Sequence, residues 1–265
     1  MAEIEFGILL PALIAGLLVT ATHVPLGIQV LRRGIVFIDI AIAQIAGVGV
    51  IAADFFGLSA SGYAVQVSAL TAALTGALFM TWTERRWTDI QEGIIGTVFI
   101  LAATLQVLLL AGNPHAGEYL KDLLVGQILW VNYQQLTAVA ALTLVVLAAW
   151  FGIGSNGLGR MGFYLLFGLS VTASVQVVGV YLVFSTLIIP ALASRRAARY
   201  RTAKAYAIGA VGYLTGLMAS IVSDLPTGAL IVWTTAATGI LFSIFERGPG
   251  IIDANEPRIS PAAPH

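Results

Sequence analysis

Nine stretches of this chain are long, apolar and nearly free of charge: roughly residues 7–30, 36–53, 62–82, 93–112, 134–153, 162–178, 179–193, 205–222 and 228–245. A helix needs about 20 such residues to cross the hydrocarbon core of a bilayer. All but one of the breaks between them carry turn residues or charge, as in TERRWTD, GNPHAGEYLKD and SRRAARYRTAK. The exception falls at Gly179, so residues 163–194 read as one long span or two short ones. Composition agrees, with 58% hydrophobic and 10% charged residues and a mean hydropathy of +0.93 over 265 residues, against about 25% charged in a soluble domain. The expected fold is an all-α polytopic membrane protein of about eight to nine transmembrane helices. One transmembrane domain fills residues 1–247, and a Pro-rich polar tail, 248–265, is expected to lie loose in the cytoplasm. The start, MAEIEFGILLPALIAGLL, lacks the basic region of a cleaved signal and reads as a retained first span.

Basic residues orient the spans, because loops rich in Lys and Arg stay cytoplasmic. With Arg32 and Arg33 inside, successive pairs of crossings lead to Arg85 and Arg86, to Arg160, to the cluster Arg195 through Lys204, and to Arg247 and Arg258. Nine spans with the N-terminus outside leave only Lys121 of the thirteen basic residues on the outer face. One span across 162–193 would push Arg160 or the 195–204 cluster outside. Two short segments, one rising and one descending, are therefore expected there. The opposite face is acidic, with Glu3, Glu5, Asp54, Glu118, Asp122 and Asp224. Net charge near zero argues against a nucleic-acid partner, although the sum hides this segregation of charge between the two faces, and the absence of cysteine removes thiolate ligands and disulfides.

Ionisable groups inside spans cost roughly 2.5–3.5 kcal/mol each at a helix centre, so each survivor is informative. Asp39, in IVFIDIAIAQIAG, is expected about 9 Å of helix rise beyond Arg33, either as a cation ligand or paired with Arg32, Arg33 or a helix end. His23 precedes Pro25, where the proline should kink the helix and free carbonyls. Gln44, Gln106 and Gln176 are expected to hydrogen-bond between helices, although amides also ligate hard cations. His115, Glu118 and Asp122 are spaced to share one face of a short outer helix, either as a cation-collecting cluster or as an interfacial helix. Pro190 is placed to bend the chain as it leaves the membrane, and SRRAARYRTAK reads as a positive anchor or a docking helix for a cytoplasmic partner.

The run VVGVYLVFSTLIIPALASRRA, Val177 to Ala197, resembles the V-G-x-x-L and L-I-I-P-A-x-x-A-R segment found before the coupling helix of ATP-binding-cassette (ABC) permeases for zinc, manganese and ferrous iron. LGIQVLRRGIVFIDIA, EGIIGTVF, LLVGQIL and DLPTG match further family motifs in the same order. The resemblance implies a fold of the metal-chelate and vitamin B12 permease type in a bacterial inner membrane. It also implies a homodimer enclosing the pathway, an extracytoplasmic metal-binding protein and a cytoplasmic ATPase dimer. The chain has no G-x-x-x-x-G-K-[ST] loop, since neither Lys121 nor Lys204 follows a glycine; ATP hydrolysis then belongs to a partner chain, with no resident cofactor here. By resemblance, Asp39 is the intramembrane metal-site aspartate, with Gln44, His23, His115 and Glu118 as further candidate ligands. Pro190, Ser194, Arg195, Arg196, Arg199 and Arg201 form the ATPase-coupling surface. Many family members carry a histidine four residues after the aspartate; here that residue is Ala43, which should weaken the site for zinc. Two other classes are weighed beside this one. A secondary transporter coupled to an ion gradient would use Asp39 as its coupling site. An intramembrane serine protease would need a serine beside His23, and no G-x-S-x-G turn accompanies it.

Overall fold

The computed structural model describes residues 2–56, 63–197, 199–223 and 225–245. The tail 248–265, Arg247, Asp224 and the side chains of Glu3 and Glu5 lie outside the described residues. The described chain is helical: α1 (Ala2–Arg33), α2 (Ile38–Phe55), α3 (Tyr63–Arg86), α4 (Gln91–Leu109), α5 (Ala116–Val125), α6 (Tyr133–Gly157), α7 (Gly159–Val178), α8 (Val180–Ala193), α9 (Arg201–Ser223) and α10 (Thr227–Phe245). Eight of these are long and apolar enough to cross a membrane, and α8 is a shorter apolar helix of 14 residues.

Contacts along the helices give their directions. α1 and α9 run antiparallel, with Gly16 against Tyr213 and Gly209 against Thr20. α9 and α10 are antiparallel as well, with Gly212 against Thr235 and Gly216 against Ile231. Small residues at these crossings let backbones approach where no hydrophobic force separates helix from lipid. α7 begins beside the end of α1, where the Arg33 guanidinium lies 4.3 Å from the Phe163 ring centroid. It ends at the opposite pole, where Val178 packs on Gly126. α8 then returns, since Gly27 of α1 meets Leu187 and Ala191, and the Ser243 hydroxyl near the end of α10 donates to the Ala193 carbonyl at 3.3 Å. α7 thus rises and α8 descends, as charge placement requires.

The reversal takes a single residue. Gly179 has φ +83° and ψ 162°, a conformation only glycine adopts without strain. A Cβ there would collide with the backbone of Gly126, itself at φ +73°. Two glycines therefore press strand of loop against strand of loop at the outer pole. With about 21 Å of rise, α8 falls short of a roughly 30 Å core, and its ends are covered by α1, α5 and α10.

α2 and α7 are the most enclosed spans, whereas α4, α6 and α10 are mostly bare. The bare faces carry Leu101, Leu108, Leu144, Trp233 and Ile240, as lipid contact demands. One expectation about a proline is revised. Pro190 lies buried inside α8, which continues to Ala193, so the bend at the membrane exit comes from Ser194 onward. Pro25 stands inside α1, which runs through it to Arg33. The carbonyl that loses its partner to Pro25, that of Ala21, accepts instead from the Tyr206 hydroxyl of α9 at 2.9 Å.

Candidate ion pathway and cytoplasmic face

α1 ends at Arg33, and the chain turns through Gly34, at φ +72°, before α2 starts at Ile38. Asp39 therefore sits in the first turn of α2. The helix rise expected from Arg33 does not apply, because the backbone is not helical between them. Asp39 is 1% exposed, and neither carboxylate oxygen has a hydrogen-bond partner. The N–H groups of Asp39 and Ile40 face it from the helix N-terminus without bonding geometry. That positive helix end favours an anion but leaves the carboxylate otherwise bare. Arg33 does not serve it: its guanidinium is 3.8 Å from Glu84 and stacked on Phe163. An ionised carboxylate buried alone is costly, so Asp39 calls for a proton or a cation.

One turn further along α2, Ala43 opens onto a cavity of about 350 Å³ between α2, α4, α5 and α8. Its polar lining comes from Gln44, Gln106 and the Tyr181 hydroxyl. Gln106 Nε2 donates to the backbone oxygen of Gln44 at 2.9 Å and to its Oε1 at 2.7 Å, tying α4 to α2. This approach depends on Gly47, where a Cβ would stand 2.9 Å from Gln106 Nε2. Gln176, by contrast, is exposed and lines a separate groove beside Gln66 and Gln135.

The histidines lie elsewhere. His23 is 0% exposed, with Nδ1 2.9 Å from the Val19 carbonyl oxygen and 3.0 Å from the Thr22 hydroxyl. A carbonyl only accepts, so Nδ1 carries the proton. His115 precedes α5 at its N-cap position without a capping hydrogen bond and lies 3.9 Å from Glu118, both largely exposed, while Asp122 accepts from Gln127 at 2.9 Å. Among the described residues, no three His, Asp or Glu side chains come together to hold a metal ion.

At the other pole, Ser194 is buried, and Arg195, Arg196, Arg199 and Tyr200 are exposed. The described residues between α8 and α9 are turns and bends rather than a helix. Tyr200 holds a left-handed φ of +59°, uncommon for a side-chain-bearing residue, and its ring supports the Arg199 guanidinium at 4.6 Å. Arg201 reaches back to the Ala191 carbonyl at 3.4 Å.

Residues 5–155 and 152–246 match the ABC 3 transport family. The chain belongs to that family. It is 26% identical to the high-affinity zinc uptake system membrane protein ZnuB of Haemophilus influenzae, over 91% of this chain and 98% of that protein. In fold it is similar to PsaBC from Streptococcus pneumoniae in complex with Fab, with a TM-score of 0.73, 19% identity and coverage of 91% and 95% of the two chains. A second neighbour, described as an inward-facing metal-chelate type ABC transporter, has a TM-score of 0.69, 18% identity and coverage of 89% and 85%. As an ABC 3 protein with eight long apolar helices among the described residues, the chain is a multi-pass permease subunit of an ABC transporter. The reading as a gradient-driven transporter finds no support in this assignment.

Sequence reasoning missed one part of this permease, a polar cluster at its cytoplasmic pole. Arg33 pairs with Glu84, and the Tyr164 hydroxyl faces Glu84 and Gln91. Gln91 donates to the Met80 carbonyl at 3.2 Å, and the Glu92 carboxylate accepts from Phe37 N–H at 3.3 Å. Together these tie the α1–α2 turn, which leads directly into Asp39, to α3, α4 and α7. The only hint in the sequence was an acid beside each basic break, Glu84 in TERR and Glu92 in QEG.

Proposed function

We propose that two copies of this permease enclose the pathway of an importer for a divalent metal of the zinc, manganese and iron(II) group. An extracytoplasmic binding protein delivers the ion, and a cytoplasmic ABC ATPase dimer drives the cycle. The observation that carries this reading is Asp39, a fully buried carboxylate with no partner, on an enclosed helix whose next residues, Ile40, Ala43 and Gln44, line a cavity. A passing dication would supply the missing charge, and its departure would restore the resting state. Gln44, beside the same cavity, is the candidate second donor. His23, His115 and Glu118 do not stand with them, so an ion bound at Asp39 meets oxygen donors. Such donors suit manganese and iron(II) better than zinc, while similarity to a zinc uptake protein argues for zinc. A site without imidazole is weak, as a conduit that must release its ion requires.

Arg195, Arg196 and Arg199 supply the exposed part of the ATPase-coupling surface. Buried Pro190 and Ser194, with Arg201 on Ala191, set its shape. The test is metal accumulation in cells carrying this permease with its ATPase. Uptake should cease when the ATPase is made hydrolysis-deficient and should persist when a protonophore collapses the gradient while ATP is maintained. The reverse pattern would reject the ATP-driven reading.

A further inference from the structure

A groove of about 550 Å³ lies between α8 and α10 at the cytoplasmic pole. Ile189, Leu192, Ala236, Ile240 and Ile244 form its walls, and Arg195 and Arg196 stand at its mouth. Gly239 forms the floor, packed so closely on Ile189 and Ala193 that a Cβ would stand 3.2 Å from each. Ala236 and Ile244 are separated by about 12 Å of helix rise, so the groove runs from the membrane surface well into the span. Its walls are bare: Leu192, Ile240 and Ile244 are 44%, 60% and 55% exposed. Neither arginine has an acidic partner within ion-pair distance among the described residues.

The two ends of this groove make different demands. The mouth asks for an anion with several oxygen acceptors, which guanidinium groups bind through paired N–H donors. The walls ask for an apolar chain at bilayer depth. A cytosolic protein satisfies the first and cannot reach Ala236; an acyl chain in the bilayer satisfies both. We propose that the groove binds one anionic phospholipid, its phosphate on Arg195 and Arg196 and an acyl chain along α10, in keeping with basic pockets between helices on the cytoplasmic side. This inference rests on the membrane orientation alone, not on the cargo. It places a lipid directly beside the segment between α8 and α9, where bilayer composition would influence coupling.

The test is native mass spectrometry of the full permease–ATPase complex, purified in mild detergent and titrated with phosphatidylglycerol. Wild type should hold the lipid, and Arg195→Gln/Arg196→Gln, which also touches the proposed ATPase-coupling surface and is therefore read only in complexes that retain the ATPase, should lower its affinity at least about tenfold. Ala236→Phe fills the groove while leaving both arginines, and Ile240→Ser weakens a wall on an exposed surface; both should lower retention, with the ATPase still bound as the check on folding. Phosphatidylcholine with the same chains, or inorganic phosphate, should not displace the bound lipid. Unchanged retention in the groove variants would show that the arginines attract headgroups without a site, and displacement by inorganic phosphate would show a bare anion site. Either result overturns the proposal.

Discussion

His23 and Asp39 are both ionisable, both sealed from solvent, and both held on apolar helices, yet their surroundings differ in kind. His23 donates its Nδ1–H to a carbonyl one turn back on its own helix. Asp39 has no hydrogen-bond partner at either oxygen, and the nearest candidate counter-ion in sequence, Arg33, is engaged by Glu84. The first, His23, is satisfied at Nδ1 by the helix that presents it, while its Nε2, equally buried, has no hydrogen-bond partner. The second is a group the fold leaves incomplete, and in a permease that incompleteness is what a transported cation can fill. Burial without a partner is not by itself the mark, since His23 Nε2 and the Ser170 hydroxyl share it; a carboxylate left with neither oxygen partnered is the sharper signal.

Four substitutions would break or sharpen this contrast. The largest effect is expected from Asp39→Asn, which removes charge with little change of shape. Metal accumulation should fall at least about tenfold while the ATPase still co-purifies, and normal accumulation would place the pathway elsewhere. Ala43→His comes next. It sets an imidazole one turn from Asp39 on the same helix face, so zinc should gain over manganese several-fold in competitive uptake, with slower zinc turnover; an unchanged ratio would show that Ala43 does not face the ion. His23→Ala should cost about 1–3 kcal/mol of stability through the buried groups left unpaired, lowering the unfolding midpoint in detergent without altering which metal is carried. A shift in metal preference would move His23 into the pathway. The smallest effect belongs to Gln106→Leu, which unties α4 from α2. Interhelical hydrogen bonds in membranes average about 0.6 kcal/mol, so a modest loss of stability is expected, and a collapse of folding would show that the amide pair does more.

The sequence made the spans legible because each is a property of its own residues. Even the break at Gly179, invisible to hydropathy, followed from where Arg160 and Arg195 had to lie. Asp39 stood out for the same reason, as one charge in an apolar run. What could not be read were relations between spans. The tie from Gln106 to Gln44 crosses 62 positions, and the match of Tyr206 to the carbonyl freed by Pro25 depends on how α9 is rotated against α1. The turn at Gly34, which shifts Asp39 to a helix N-terminus, and the continuation of α8 past Pro190 are local. They were missed because a proline near a helix end and a glycine beside arginines each fit more than one backbone path.

The most direct measurement is ATP-driven metal uptake into vesicles reconstituted with this permease and its ATPase, comparing wild type, Asp39→Asn and His23→Ala at matched ATPase content. Uptake lost in the Asp39 variant and kept, per folded complex, in the His23 variant is the predicted result. Equal uptake by the Asp39 variant and wild type would contradict the assignment of the unpartnered carboxylate to the ion's path.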